Sequence, residues 1–264
     1  MSDFLNLMAS RSRQRVDIAR SAIPISELRA LETDSPKPLQ FQSFDLIAEV
    51  KRTSPSAGVL EQNGLDIITQ ARHYADAGAA LISVLTEPSR FGGSGKDLRS
   101  IAGELDVPVM RKDFLVDPYQ IVEARCWGAS AVLLIARILD DSQLCAMLDA
   151  SAEMGLSVLL EAFDSSDLDR SSRAVEGRDK VMLGLNCRDL ASLHEDTDRF
   201  EALITHFPGG SIKIAESGIA SAEDAARVSR LGYDGVLVGT ALMRSDDPHE
   251  LARRMITAGR NARA

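Results

Sequence analysis

The chain has 264 residues, 45% of them hydrophobic and 26% charged, with a formal net charge of −9. No apolar stretch reaches the ~20 residues of a membrane-spanning helix, and an acidic chain is a poor match for nucleic acid, which is usually met by a basic surface. Cys126, Cys145 and Cys187 are odd in number and widely spaced, and the N-terminus has no signal-peptide apolar core, so a reducing, cytoplasmic setting is expected.

In chain order, residues 3–22 have helical composition, Ile23-Pro24-Ile25 breaks it, and residues 26–31 begin a second helix before a turn-rich stretch at 33–38. From Phe44 onward strands and helices alternate. The expected strands are 46–52, 80–87, 107–114, 131–139, 157–163, 181–188, 211–217 and 235–239. The expected helices are 65–77, 96–104, 118–127, 141–154, 165–174, 198–206, 222–231 and 248–258. Gly78, Gly128, Gly155 and Gly232 each stand just past a periodic segment, the place of a left-handed helix terminator. Runs such as Ala131-Val132-Leu133-Leu134-Ile135 fit strands covered on both faces, as a parallel sheet requires. Eight such units predict an α/β fold, a single (β/α)₈ TIM barrel over residues 44–264 behind an N-terminal helical extension at 1–43. No G-x-G-x-x-G follows the first strand, which speaks against an open doubly wound sheet.

Charged or polar residues interrupt these strands near their C-terminal ends, where a barrel holds its active site. Burying charge is costly, so the repetition needs a reason. Glu49 and Lys51 are two apart and share a strand face, as a catalytic pair or as a structural ion pair. Of Arg111 and Lys112 only one faces the interior, and parity on one strand does not choose. Lysine is the better general acid, because desolvation can lower its pKa, whereas arginine keeps its charge. Glu161 is either a general base or the partner of a lysine. Asn186 and Arg188 share a face and together can bind a carboxylate. Cys187 between them is expected to face the core.

Glycines in Glu216-Ser217-Gly218-Ile219 and Val238-Gly239-Thr240-Ala241 allow close backbone approach to a phosphate. Ser221 is expected to cap the next helix. Ser54-Pro55-Ser56-Ala57-Gly58 is a plain turn or brings a hydroxyl to phosphate. Phe91 and Phe114 are core residues or walls for a planar ligand. The four histidines show no metal-ligand spacing.

The segments I-A-E-V-K-R-T-S-P-S at 47–56, S-V-L-T-E at 83–87, F-G-G-S at 91–94, V-M-R-K-D-F at 109–114, L-L-E-A-F-D at 159–164, G-L-N-C-R-D-L at 184–190, I-A-E-S-G-I at 214–219 and V-G-T-A-L-M at 238–243 stand together in this chain. It thereby resembles the indole-3-glycerol phosphate synthases, (β/α)₈ carboxy-lyases of tryptophan biosynthesis. The resemblance implies conversion of 1-(2-carboxyphenylamino)-1-deoxyribulose 5-phosphate to indole-3-glycerol phosphate, with loss of CO₂ and water and no metal or organic cofactor. It implies Lys112 as general acid at the substrate carbonyl and Glu161 in proton transfer for the dehydration. Lys51 would hold the substrate carboxylate and act as acid in a later step, tuned by Glu49. Asn186 and Arg188 would orient substrate and catalytic groups, and Glu216 is a further active-site carboxylate. Ser54, Ser217, Gly218, Gly239 and Thr240 match the phosphate site, and Phe91 and Phe114 match residues around the aromatic ring. On this reading a leucine at Gly239 raises KM by obstructing phosphate.

The implied partner is a small phosphorylated substrate, with neither nucleic acid nor membrane. A monomer is expected, and contact with other tryptophan-pathway enzymes is left open. Cys187 stands where relatives often carry Asn or Ser, Ala162-Phe163 where many carry His or Asn nearby, and no fused isomerase barrel is expected. An Amadori isomerase like phosphoribosylanthranilate isomerase is the competing enzyme, disfavoured by Glu-x-Lys on strand one with a lysine on strand three. A regulatory barrel that binds phospho-metabolites without turnover is disfavoured by Lys51, Lys112 and Glu161 together.

Overall fold

The eight apolar runs are all strands: β1 (Asp45–Val50), β2 (Leu81–Leu85), β3 (Val109–Lys112), β4 (Ala131–Ile135), β5 (Ser157–Ala162), β6 (Val181–Asn186), β7 (Ile212–Glu216) and β8 (Gly235–Val238). The structure is a computed structural model that describes residues 3–31, 34–54, 58–59, 66–189 and 194–263. The strands pair in parallel around a closed barrel, in the order β1-β8-β7-β6-β5-β4-β3-β2. Closure lies at β1, whose Asp45 to Ala48 pair with Gly235 to Val238, and whose Ile47 to Val50 pair with Leu81 to Val84 on the other edge. β1, β2, β4, β5 and β8 are buried along their full length. That is why they read as unbroken apolar runs rather than alternating ones.

Two helices precede the barrel, α1 (Asp3–Ala22) and α2 (Ile25–Arg29). The others follow the strands: α3 (Ile67–Asp76), α4 (Pro88–Phe91), α5 (Gly95–Glu104), α6 (Pro118–Cys126), α7 (Asp141–Glu153), α8 (Ser165–Ala174), α9 (Arg199–Leu203), α10 (Ala222–Leu231), α11 (Thr240–Arg244) and α12 (Pro248–Arg263). None of the described helices is long and apolar enough to cross a membrane. Local chemistry sets their ends. Ser221 accepts from the Asp224 amide at 3.1 Å while the Asp224 carboxylate accepts from Ser221, a reciprocal cap that starts α10. Gly78, Gly128, Gly155 and Gly232 adopt φ of 93°, 88°, 71° and 101°, the left-handed geometry their positions required.

The strands end earlier than the apolar pattern suggests. β4 stops at Ile135 and turns into a 3₁₀ segment, Ala136–Ile138. Residues 198–206 split into α9 and a second 3₁₀ turn, Ile204–His206, and α12 runs on to Arg263. The short helices α4 and α11 were not expected. α4 exists because the Glu87 carboxylate caps the amides of Ser89, Arg90 and Phe91, with Pro88 at the first position. Beyond β1, Thr53–Ser54 pairs with Gly58–Val59 in a short antiparallel hairpin.

Helix α1 is bound to the loops after β2 and β3. Arg15 forms a two-pronged bond to Asp113, at 2.7 and 3.0 Å, and Gln120 donates to Ser12 at 2.9 Å. At the other end of the chain α12 holds both strands of the closure. Arg260 pairs with Asp45, and Arg263 pairs with Asp234 at 2.7 Å. Gly259 lies flat on Phe44, where a Cβ would stand 2.1 Å from a ring carbon.

Candidate active site

The two cations at the end of β3 point opposite ways. Arg111 leaves the barrel toward α6, donating to the Gln120 carbonyl at 3.0 Å and to Glu123 at 2.7 Å, with its guanidinium 4.2 Å from the Trp127 ring centre. Alternation then turns Lys112 inward. Its Nζ stands 3.1 Å from Glu49 Oε2, and Lys51 Nζ stands 2.6 Å from Glu49 Oε1. One carboxylate from β1 therefore bridges two ammonium groups. Gly239 leaves room for this pair: a Cβ there would meet Glu49 Oε1 at 2.3 Å and Lys51 Nζ at 2.9 Å. A leucine at 239 thus strikes the ion pair itself, an effect added to the one expected on KM through phosphate.

The electrostatics follow from this bridge. Burial pushes the Glu49 carboxyl up, but Lys112 and Lys51 outweigh burial and hold it down to about 2. Burial alone would lower Lys112, yet Glu49, Glu161 and Glu216 hold it above its ordinary value. The sequence argument that desolvation lowers this lysine is therefore reversed: it is a firmly protonated donor.

Across the barrel, Asn186 at the end of β6 donates from Nδ2 to Glu161 Oε1 on β5 at 3.2 Å, and its Oδ1 accepts from the Arg188 amide at 3.0 Å. An amide N–H can only donate, so this contact fixes which way the Asn186 amide points. Glu161 and Glu216 are both buried and both pushed upward, first by desolvation. The Arg188 guanidinium turns to Glu195.

These groups surround one cavity of about 720 Å³. Glu49, Lys51, Lys112, Asn186, Arg188 and Glu216 line it, with Ser217, Gly218, Gly239 and Thr240 along one side and Phe91 among the remaining lining residues. Ser217 and Gly218 both adopt left-handed backbone, at φ of 68° and 64°. Phe114 stands behind the wall, 6.4 Å from Phe91 and 5.9 Å from Phe4 between ring centres. Glu161 joins the site through Asn186, which lines the cavity and donates to it. Cys187 is fully buried away from the cavity, as expected, and burial pushes its thiol up to about 12. The side chain of Ser54, residues 55–57 and Leu190 lie outside the described residues.

Among the lining residues that sequence reasoning missed are Phe4, His194, Glu195 and Arg244. Arg244 carried a signal, because it lies four residues after Thr240 on α11 and shares its face. Phe4 carried none, since nothing local says where α1 docks.

The family model for indole-3-glycerol phosphate synthase matches residues 6–255. Indole-3-glycerol phosphate synthase of Mycobacterium avium (strain 104) is 41% identical over 253 residues, spanning 93% of this chain and 91% of the relative. The enzymes of Mycobacterium leprae (strain Br4923) and Mycobacterium tuberculosis (strain ATCC 25177 / H37Ra) are 40% and 39% identical over the same shares. Among solved structures, 3-hexulose-6-phosphate synthase from Salmonella typhimurium superposes with a TM-score of 0.66 at 18% identity, covering 83% of this chain and 99% of that one. Thiamine phosphate pyrophosphorylase from Pyrococcus furiosus does so at 0.58 and 16%, covering 83% and 96%. These two likenesses speak for the barrel fold alone.

Proposed function

The chain belongs to the indole-3-glycerol phosphate synthase family, and from that premise we propose how its cavity carries out the family's ring closure on 1-(2-carboxyphenylamino)-1-deoxyribulose 5-phosphate. The observation that carries the proposal is the convergence of Lys51 and Lys112 on Glu49 at a single cavity. When the aromatic ring carbon attacks the sugar carbonyl, the oxygen gains charge and needs a proton, which Lys112 supplies. Lys51 faces the ring carboxylate, which leaves as CO₂ while its bonding electrons restore the aromatic ring. The new hydroxyl then leaves as water with a proton from Lys51. Glu161 accepts the proton from the neighbouring carbon, whose electron pair becomes the ring double bond. That proton and one from solvent restore the two ammonium groups.

Glu49 keeps Lys112 charged before the reaction and holds Lys51 beside it. Asn186 holds Glu161 in place, and Arg188 helps to orient the substrate. The phosphate is read to lie against Ser217, Gly218, Gly239 and Thr240, with Ser54 nearby. Phe91 flanks the aromatic ring and Phe114 supports it from behind. The working unit is taken to be a monomer. Three unpaired cysteines support a cytoplasmic setting. Mixing the protein with the carboxyphenylamino-deoxyribulose phosphate should produce indole fluorescence. Binding without fluorescence would favour the regulatory reading instead.

A further inference from the structure

Glu216 has no task in the ring closure described above, although it is more deeply buried than Glu49 and Glu161, at 1% exposure. Neither of its oxygens receives a hydrogen bond from a donor among the described residues. For an ionised carboxylate that is an expensive state. The polar group beside it is the carboxyl of Glu161, the ladder neighbour of the glycine that Glu216 reaches over. The two meet because β6 places a glycine between β5 and β7. Glu161 lies beside Gly184 in the strand register, and Glu216 lies beside Asn186. Glu216 reaches over Gly184, where a Cβ would stand 2.0 Å from its Oε1.

Two ionised carboxylates offer acceptors only, so their contact closes only when one is protonated. Asn186 decides which. Its amide orientation is fixed by Arg188, so it donates to Glu161 and favours the charged form there. Glu216 has no such donor.

We propose that Glu161 and Glu216 hold one proton between them at neutral pH, carried by Glu216 as a carboxylic acid that donates to an ionised Glu161. The upward displacement of both groups, from burial first and, for Glu216, then from the neighbouring Glu161, agrees with this. The charged groups that face the pair are Glu49 from β1 and Lys112 from β3; Lys51 lies beyond Glu49, and Arg188 beyond Asn186 is paired with Glu195. With one proton on the pair, it and Glu49 balance the two lysines. A second ionisation would set uncompensated negative charge against a substrate that is anionic at both ends. The shared proton stands on geometry; its consequence for substrate binding rests on the ring-closure reading.

Infrared difference spectroscopy in H₂O and D₂O on the whole protein at pH 7 tests the pair. A deuterium-sensitive C=O band of a buried carboxylic acid is expected, and it should vanish in Glu216→Gln. In the wild type KM should rise at alkaline pH as the pair loses its proton, and Glu216→Gln, which cannot titrate, should lack that limb. No acid band in the wild type, or a band unchanged in Glu216→Gln, overturns the proposal. Should Glu216→Gln not fold, ¹³C labelling of glutamate side chains in the wild type reads the same proton: one carboxylic-acid resonance at pH 7 supports the pair and none overturns it. A band without turnover leaves the pair standing and removes the ring-closure reading; turnover without a band does the reverse.

Discussion

Arg111 and Lys112 are neighbours in sequence, and each belongs to a buried cluster of charges, one on the helix side of β3 and one inside the barrel. On the helix side Asp113 is saturated. Its Oδ1 accepts from Arg15 at 2.7 Å and from the Phe114 amide at 2.8 Å, and its Oδ2 from Arg15 at 3.0 Å and Thr86 at 3.1 Å. Burial pushes Asp113 up, but Arg111 and Arg15 outweigh it and hold the carboxyl below its ordinary value. Inside, two lysines share Glu49, and Glu216 has no protein donor among the described residues. Both clusters lie at similar depth. The first uses its hydrogen-bonding capacity on its own members, which suits a brace. The second keeps capacity in reserve, which suits a site that awaits a charged guest.

The comparison breaks most sharply at Lys112. Lys112→Ala should cut kcat by ~10²–10⁴, the usual contribution of a positioned acid, with circular dichroism and melting close to wild type. Near-normal kcat at saturating substrate would remove the distinction between the clusters. Asp113→Ala should do the opposite. It leaves Arg111 and Arg15 without their carboxylate and should cost about 3–5 kcal/mol in urea unfolding, while kcat per folded molecule falls far less than in Lys112→Ala. Gly239→Leu should displace the Glu49–Lys51 pair and lower kcat by about 10²-fold, the scale of a misplacement of one ångström; a change confined to KM would count against the geometry.

The smallest effect concerns pH. The folded state holds the Glu216 proton more tightly than the unfolded chain does. Its contribution to stability is therefore present below the ordinary value of 4.5 and lost as pH rises through the displaced one. Glu216→Gln, which cannot ionise, should flatten that decline. Glu49 has the other sign: its stabilisation is present above 4.5 and lost as pH falls toward about 2. Parallel denaturant titrations across pH would separate the two.

The barrel was legible because its strands are short, apolar and punctuated by glycine, and each signal is local. Helices 165–174 and 222–231 were read to the residue, since Asp164 and Ser221 cap them. The site was legible as a level in the fold, because a charge at the end of an apolar run marks the barrel mouth. What stayed hidden was anything set by neighbours on other strands. Parity on β3 needed α6 to show that Arg111 faces outward. The sign of the Lys112 displacement needed three carboxylates from β1, β5 and β7. The place of Phe4 needed the docking of α1 through Arg15. The hairpin after β1 was read only as a plain turn or a loop bringing a hydroxyl to phosphate, because its strands are two residues each.

The clasp formed by α12 also bears on how the polypeptide is made. Asp45 and its ladder partner Gly235 are separated by about 190 residues of chain. At 5–20 residues per second that is a delay of roughly 10–40 s on the ribosome. Throughout it one flank of β1 has no neighbour, and an open strand flank is adhesive. Gly259, Arg260 and Arg263 emerge later still. Ring shutting is thus a late event in the synthesis of this barrel, and nascent intermediates carry a sticky seam until β8 and α12 have been made.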